Sequence, residues 1–154
     1  MARPAGEGPS GGRESGQLMV LLLGYVVLAL LLATVVSAVS SVYIEHKKLL
    51  SAADGAAVAA ADSFTLGAVV EGNGAPAALL SPARIQGAVA TYLQLNGSYE
   101  RFAALAVGPG TGTPDGHTAE VVLTAVVHPV FINFLVPDGI AITATGTARS
   151  QLAR

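Results

Sequence analysis

The 154-residue chain has no cysteine and no tryptophan, only four tyrosines and four phenylalanines, and just 12% Asp, Glu, Lys and Arg. The missing cysteines exclude a disulfide framework, a thiol nucleophile and a cysteine-ligated metal together. The scarcity of charge has a different meaning. An ordinary soluble domain carries about 25% charged residues, so this chain either buries an unusual share of its length or lies partly in lipid. Eight basic residues against ten acidic ones leave a net charge of -2, and Lys47-Lys48 is the only adjacent basic pair. No stripe can follow a phosphate backbone, and a nucleic-acid partner is excluded. With 28 Ala and 18 Gly the side chains are small, which argues against a large ligand pocket, so no cofactor and no small-molecule substrate is expected.

What is present divides the chain. Residues 1–17, MARPAGEGPSGGRESGQ, contain five Gly, two Pro and no aromatic or branched apolar residue, and read as a disordered tail. From Ser15 to Ile44 no charge occurs, and Leu18 to Val39 reads LMVLLLGYVVLALLLATVVSAV. These 22 residues make about 33 Å of helix, enough for a hydrocarbon core of about 30 Å. Their eight Leu and six Val favour insertion by about 4–8 kcal/mol. A transmembrane helix over 18–44 is the strongest reading. A cleaved signal peptide competes with it, since Val36-Ser37-Ala38 has the small residues of a cleavage site and Arg3 and Arg13 precede the apolar run. Charge bias barely decides orientation, with Arg3 and Arg13 on one side and Lys47 and Lys48 on the other.

Residues 45–66, EHKKLLSAADGAAVAAADSFTL, extend the helix as an Ala-rich stem, with Glu45 and Lys48 as an i, i+3 pair. Leu49, Ala52, Ala53, Ala56, Ala59 and Ala60 share one face, with Asp54 and Asp62 on another. Small residues at Gly55, Ala56 and Ala59 allow close approach of another backbone. Asp54, between Leu50 and Val58, is either a solvated carboxylate or a charge that fixes register against a neighbouring subunit. Gly24, beside Tyr25, is a further candidate contact for a partner helix.

Residues 67–154 form the remaining domain. Segment 67–80, with its Gly and Pro, reads as a loop, and Ser81-Pro82 opens a helix that stops at Asn96-Gly97. Tyr99 to Val107 is expected as a strand, followed by a turn from Gly108 to Gly116. Ala119, Val121, Leu123, Ala125 and Val127 alternate in a second strand that Pro129 ends. Ile140, Ile142, Ala144, Gly146 and Ala148 alternate with Thr143, Thr145, Thr147 and Arg149 in a third. The expected fold is α+β: a long N-terminal membrane-spanning helix continuing into an Ala-rich stem, a second short helix, and an antiparallel sheet of about three strands. The Ala face of the stem and the helix from 82 to 95 would cover the sheet.

The order of an anchor opening after Ser15-Gly16, a basic step HKKLL, and then AADGAAVAAAD resembles the TadE/TadG-like proteins of the tight-adherence (Flp) pilus machinery, over residues 16–66. The closing ITATGTA, Ile142 to Ala148, fits the small-residue strand with which such proteins end. The resemblance implies a pilin-like or pilus-accessory protein in the bacterial cell membrane, with a cytoplasmic N-terminus, an extracytoplasmic domain, and pilin-like or Tad-apparatus partners. Two departures qualify it. Processed members carry Gly before the cut and Glu five residues after it, whereas the fifth residue after Gly16 is Leu21, which puts processing between Gly16 and Gln17 in doubt. The D-x-S-x-S motif of the larger adhesive members is absent.

Catalytic constellations are not found. His46, His117 and His128 have no metal-ligand spacing, and Asp115 with His117 is a triad fragment without a nucleophile elbow. The glycine motifs within Gly6–Gly12 lack the strand and helix that a nucleotide site or a hydrolase needs. Asn96-Gly97-Ser98 spells a glycosylation sequon, though Asn-Gly is also a helix stop. Two functional classes remain, and neither requires an enzyme. One is a structural or assembly component of a pilus or secretion apparatus. The other is an anchored extracytoplasmic binding module that uses Phe131 and Phe134 of VFINFLV as its apolar contact.

Overall fold

The computed structural model describes residues 12–63, 65–66, 78–129 and 136–149. In chain order the elements are α1 (Gly12–Ala61), β1 (Thr65–Leu66), β2 (Ala78–Leu79), α2 (Pro82–Leu95), α3 (Ser98–Arg101), β3 (Ala103–Val107), β4 (Thr118–Val127) and β5 (Ile140–Arg149). The α+β class is as expected: a long apolar N-terminal helix, a short second helix and a three-stranded antiparallel sheet in the order β3-β4-β5. The chain divides into two compact units, Met1–Ser37 and Ala38–Arg154.

In the first unit Leu and Ala, both strong helix formers, dominate α1, and the apolar side chains from Leu18 to Val36 stand exposed. The hydroxyls within this stretch turn back onto the helix: Thr34 Oγ1 donates to the Leu30 carbonyl and Ser37 Oγ to the Ala33 carbonyl, each at 2.8 Å. A hydroxyl satisfied in this way carries no unmet donor into an apolar surrounding. The helix begins at Gly12, inside the segment expected as a tail, because adding a residue to an existing helix costs far less than nucleating one. Residues 1–11 lie outside the described residues.

In the second unit the same helix has a buried face. Leu49, Ala53, Ala56, Ala57, Ala60 and Ala61 join Ile85, Val89 and Leu93 of α2 and Val121, Leu123 and Ala125 of β4 in one apolar core. Helices therefore cover one sheet face, as the alternation of β4 and β5 requires. Every second residue of β4 from Ala119 to Val127 is buried, as are Ile142, Ala144 and Gly146 of β5. β4 and β5 pair without a break from Thr118↔Arg149 to Val127↔Ile140. The backbones of helix and sheet come close at Gly146, where a Cβ would overlap the backbone carbonyl of Ala53 and lie 2.6 Å from the Asp54 nitrogen.

Three boundaries differ from expectation. The stem helix ends at Ala61 rather than Leu66, because Ser63 caps it: its amide and hydroxyl both donate to the Ala60 carbonyl, at 3.1 and 2.6 Å. Thr65 and Leu66 then pair with Leu79 and Ala78, so the segment expected as a loop over 67–80 ends in a short strand, and 67–77 lie outside the described residues. The strand expected from Tyr99 starts only at Ala103. Gly97, left-handed at φ 61°, restarts the helix as the single turn α3, whose Glu100 and Arg101 amides both donate to the Gly97 carbonyl. Along β3 the register slips between Ala103 and Ala106, and Ala104 takes φ 51° there, forming a bulge on this edge strand.

The remaining signals fall where the sequence places them. Ser81 is the N-cap residue of α2, extended and followed by Pro82 at N1, although its side chain makes no cap bond. At the other end Asn96 Nδ2 donates to the Tyr92 carbonyl at 2.9 Å. Thr111 of the Gly108–Gly116 connection prolongs the sheet, its hydroxyl accepting from the Val122 amide at 3.0 Å and donating to the Val122 carbonyl at 3.2 Å. Asp115 closes the turn into β4. Its carboxylate accepts from the His117 amide, the Thr118 amide and the Thr118 hydroxyl, at 2.9, 2.6 and 2.9 Å, and these bonds lower its pKa to about 2.

Two outcomes follow from this packing. Gly146→Ala should destabilise the folded domain by about 1–3 kcal/mol, as overpacking does, seen as a lowered midpoint in chemical denaturation of the full chain in detergent. For Asp115 the depressed pKa means that its turn contributes stability in full above about pH 4 and loses it as the pH falls towards 2. The stability gap between wild type and Asp115→Asn should therefore narrow across that interval, and a constant gap would refute the assignment.

Candidate functional site

Among the described residues the longest exposed apolar surface runs along α1, and the surface that can act is sought there. Among the described residues, one helix is long and apolar enough to cross a membrane, Gly16–Ala61, and its most apolar stretch has no buried residue. The fold therefore defines a class: a small α+β domain carried on a helix whose N-terminal part presents large apolar side chains on every side. Exposed, bulky Leu and Val suit a lipid surrounding, whereas the Ala-rich part of the same helix suits close packing in a folded core.

The residues singled out from sequence separate along this helix. Gly16 and Gln17 lie inside α1, exposed, and a Cβ at Gly16 would meet nothing within 4 Å among the described residues outside the helix's own backbone. Gly24 is also exposed and open, so a helix could approach it there. Asp54 is exposed, on the side of the helix away from the core. It belongs to a stripe at helical spacing made of Lys47, Ser51, Asp54, Val58 and Asp62, all exposed. Ala59 is half-buried, and Ala56 is fully buried in the chain's own core. Gly55 is half-buried against α2, where a Cβ would overlap the Tyr92 hydroxyl and lie 2.6 Å from its Cζ. Close approach at Gly55 is thus used within the chain, by an aromatic residue that sequence reading did not connect to it. No local signal could have made that link, since the two residues lie on different helices.

Charged and polar groups cluster just beyond the apolar run. Lys48 Nζ meets Glu45 Oε1 at 2.6 Å, the expected i, i+3 pair, and being exposed it is worth only a few tenths of a kcal/mol. Lys47 Nζ stands 5.6 Å from the centre of the Tyr43 ring. His46 Nε2 donates to the Thr143 carbonyl of β5 at 3.1 Å, tying the helix to the edge strand. A concavity of about 440 Å³ is rimmed by Glu45, Arg101 and His128 over Phe102, Ala125 and Ile142. The hydroxyl in it, Ser41, donates to the Ala38 carbonyl at 3.1 Å, a helix bond that does not activate it. Among the described residues no group of three or more His, Asp or Glu is arranged to hold a metal ion. Phe131 and Phe134, the alternative apolar contact, lie outside the described residues.

Comparison with known proteins finds a likeness over part of the chain. Residues 16–63 match the family described as "Putative Flp pilus-assembly TadE/G-like". The matched stretch starts where the resemblance was read, at Gly16, and ends where α1 is capped, at Ser63. It covers the apolar helix, the HKKLL step and AADGAAVAAAD, and leaves α2 and the sheet unmatched. No curated protein and no solved structure matches the chain.

The intramolecular seat at Gly55 is open to test. Gly55→Ala alone displaces Tyr92, while in a Tyr92→Ala background the same change gains helix propensity of about 1 kcal/mol. A double-mutant cycle read by thermal denaturation should give a coupling of at least about 1 kcal/mol, and additive effects would show that the two residues do not constrain each other.

Proposed function

We propose that the chain is a single-pass membrane-anchored structural or accessory component of a Tad/Flp-type pilus or related secretion apparatus, acting through helix packing and without catalysis. The observation that carries this reading is the coincidence of the family match over 16–63 with an exposed apolar helix that passes directly into the core of a small domain. In this reading residues up to Gln17 are cytoplasmic, 18–44 span the membrane, and the domain from 67 onward is extracytoplasmic. Partner chains pack on Gly24 and on the exposed stem stripe around Asp54, the carboxylate serving to fix register. Ala56 and Gly55 then serve the chain's own fold, and through it the shape of the stem that partners meet.

The test is made in native membranes. Intact mass and N-terminal sequence should give a chain that is full length or lacks only the initiator Met. It should resist carbonate extraction and co-purify with other pilin-like chains or the secretion platform. A start at Gln17 would indicate prepilin-type processing in place of a permanent anchor, and a start at Val39 would end the anchored reading. Asp54→Leu should leave insertion intact and reduce partner recovery several-fold; recovery equal to wild type would remove the register role.

A further inference from the structure

The apolar run of α1 is longer than a bilayer core requires, and the surplus coincides with a groove. Leu18 to Ile44 is about 40 Å of helix, against a hydrocarbon core of about 30 Å and about 40–45 Å with the interfacial layers included. Burying all of it in hydrocarbon would need a tilt of about 40°, the limit of what membrane helices show. An upright helix with Leu18 at the cytoplasmic boundary of the hydrocarbon leaves its last two turns, Ala38 to Ile44, in the opposite interfacial layer. Those turns form one wall of a groove of about 450 Å³ lined by Ala38, Val39, Val42, Tyr43, Ile140 and Ile142, with His46 at its end. Ala38 and Ile142 make the buried floor, and Val39 and Tyr43 are exposed walls, at 65% and 60%.

We propose that this groove takes the upper acyl segment of a phospholipid, so that the Ile140 end of β5 sits in the interfacial layer of the bilayer. The inference rests on the anchored reading above. Three features favour lipid over a second protein chain. The groove is apolar apart from the Tyr43 hydroxyl and the His46 imidazole, and it is continuous in sequence with the anchor. Tyr43 with the Lys47 ammonium over its ring is the pairing found at a headgroup boundary, an amphipathic ring below and a long basic side chain reaching up to phosphate. At this end of β5 the Thr143 carbonyl already accepts from His46, so a strand added here would compete with the helix for that oxygen.

The chain has no tryptophan, so a single introduced one reports its own depth. The full chain is reconstituted in phosphatidylethanolamine–phosphatidylglycerol vesicles containing phosphatidylcholine brominated near the headgroup end of the acyl chains, with a parallel set brominated near the chain ends for the midplane position 28. Leu28→Trp reports the anchor and Ile140→Trp the groove. Thr147→Trp, seven residues along the same strand and about 23 Å away, reports the far end of the sheet. Fluorescence of Ile140→Trp should fall at least twofold with brominated lipid, and that of Thr147→Trp should not change. Ala141→Trp, exposed on the opposite face of β5 at the same depth, should be quenched likewise when the Ile140 end lies in the interfacial layer, and covers the case in which Ile140→Trp does not fold. Quenching at Leu28→Trp with none at 140 and 141 would overturn the lipid groove while leaving the anchor standing. No quenching at Leu28→Trp would overturn the anchored reading and this inference with it. Self-quenching at 140 that depends on protein density and not on bromine would assign the groove to a second copy.

Discussion

The approach of the α1 backbone to β5 at Gly146 is the constraint on which the rest of the domain depends. Because the Ala53 carbonyl lies where a side chain at 146 would stand, helix and sheet are closer at this level than ordinary side chains permit. Everything on the buried helix face near that crossing must then be small, and Ala53, Ala56, Ala57 and Ala60 are. The larger residues that fill the core sit away from the crossing: Leu49 earlier on the helix, Ile85, Val89 and Leu93 on α2, Val121 and Leu123 on β4. Fully buried Leu, Ile and Val each contribute about 1.5–3 kcal/mol relative to exposure, so α2 and β4 supply much of the apolar stabilisation while the Ala face supplies proximity.

One helix thus meets two opposite packing requirements. From Leu18 to Val36 its apolar side chains are mostly large and all exposed, as suits a medium that fills every gap by itself. From Ala53 on they are small on the inner face, as suits a rigid neighbour with a fixed shape. The polar step between them, Glu45 to Lys48, carries an ion pair, a cation over a ring and a bond to the sheet edge, so the transition is held in place on several sides.

Much of this was legible in the sequence because the signals are local. The uncharged run, the Ser-Pro start and Asn-Gly stop of α2, and the two-residue alternation of β4 and β5 each depend on neighbours within a few positions. The misread boundaries share a different cause. Ser63 ends α1 by a hydrogen bond that competes with continued helix, and Tyr99 lies in a helical turn because Gly97 adopts a left-handed conformation, a choice its sequence permits without requiring. The candidate site was less legible. Small residues on the stem permit close approach without saying from where: at Gly55 the approaching group is Tyr92 of the same chain, and at Ala53 it is Gly146.

The hydroxyls of α1 have a consequence for how such helices would meet in a bilayer. Thr34, Ser37 and Ser41 each commit their proton to a carbonyl of their own helix. None of the three is left to reach across to a neighbour, and cross-helix hydrogen bonds are among the few directional attractions available between segments in lipid. In the anchored reading, contacts at these three positions would rest on surface fit, and any directional attraction would have to come from elsewhere on the helix, as at the exposed Asp54 carboxylate.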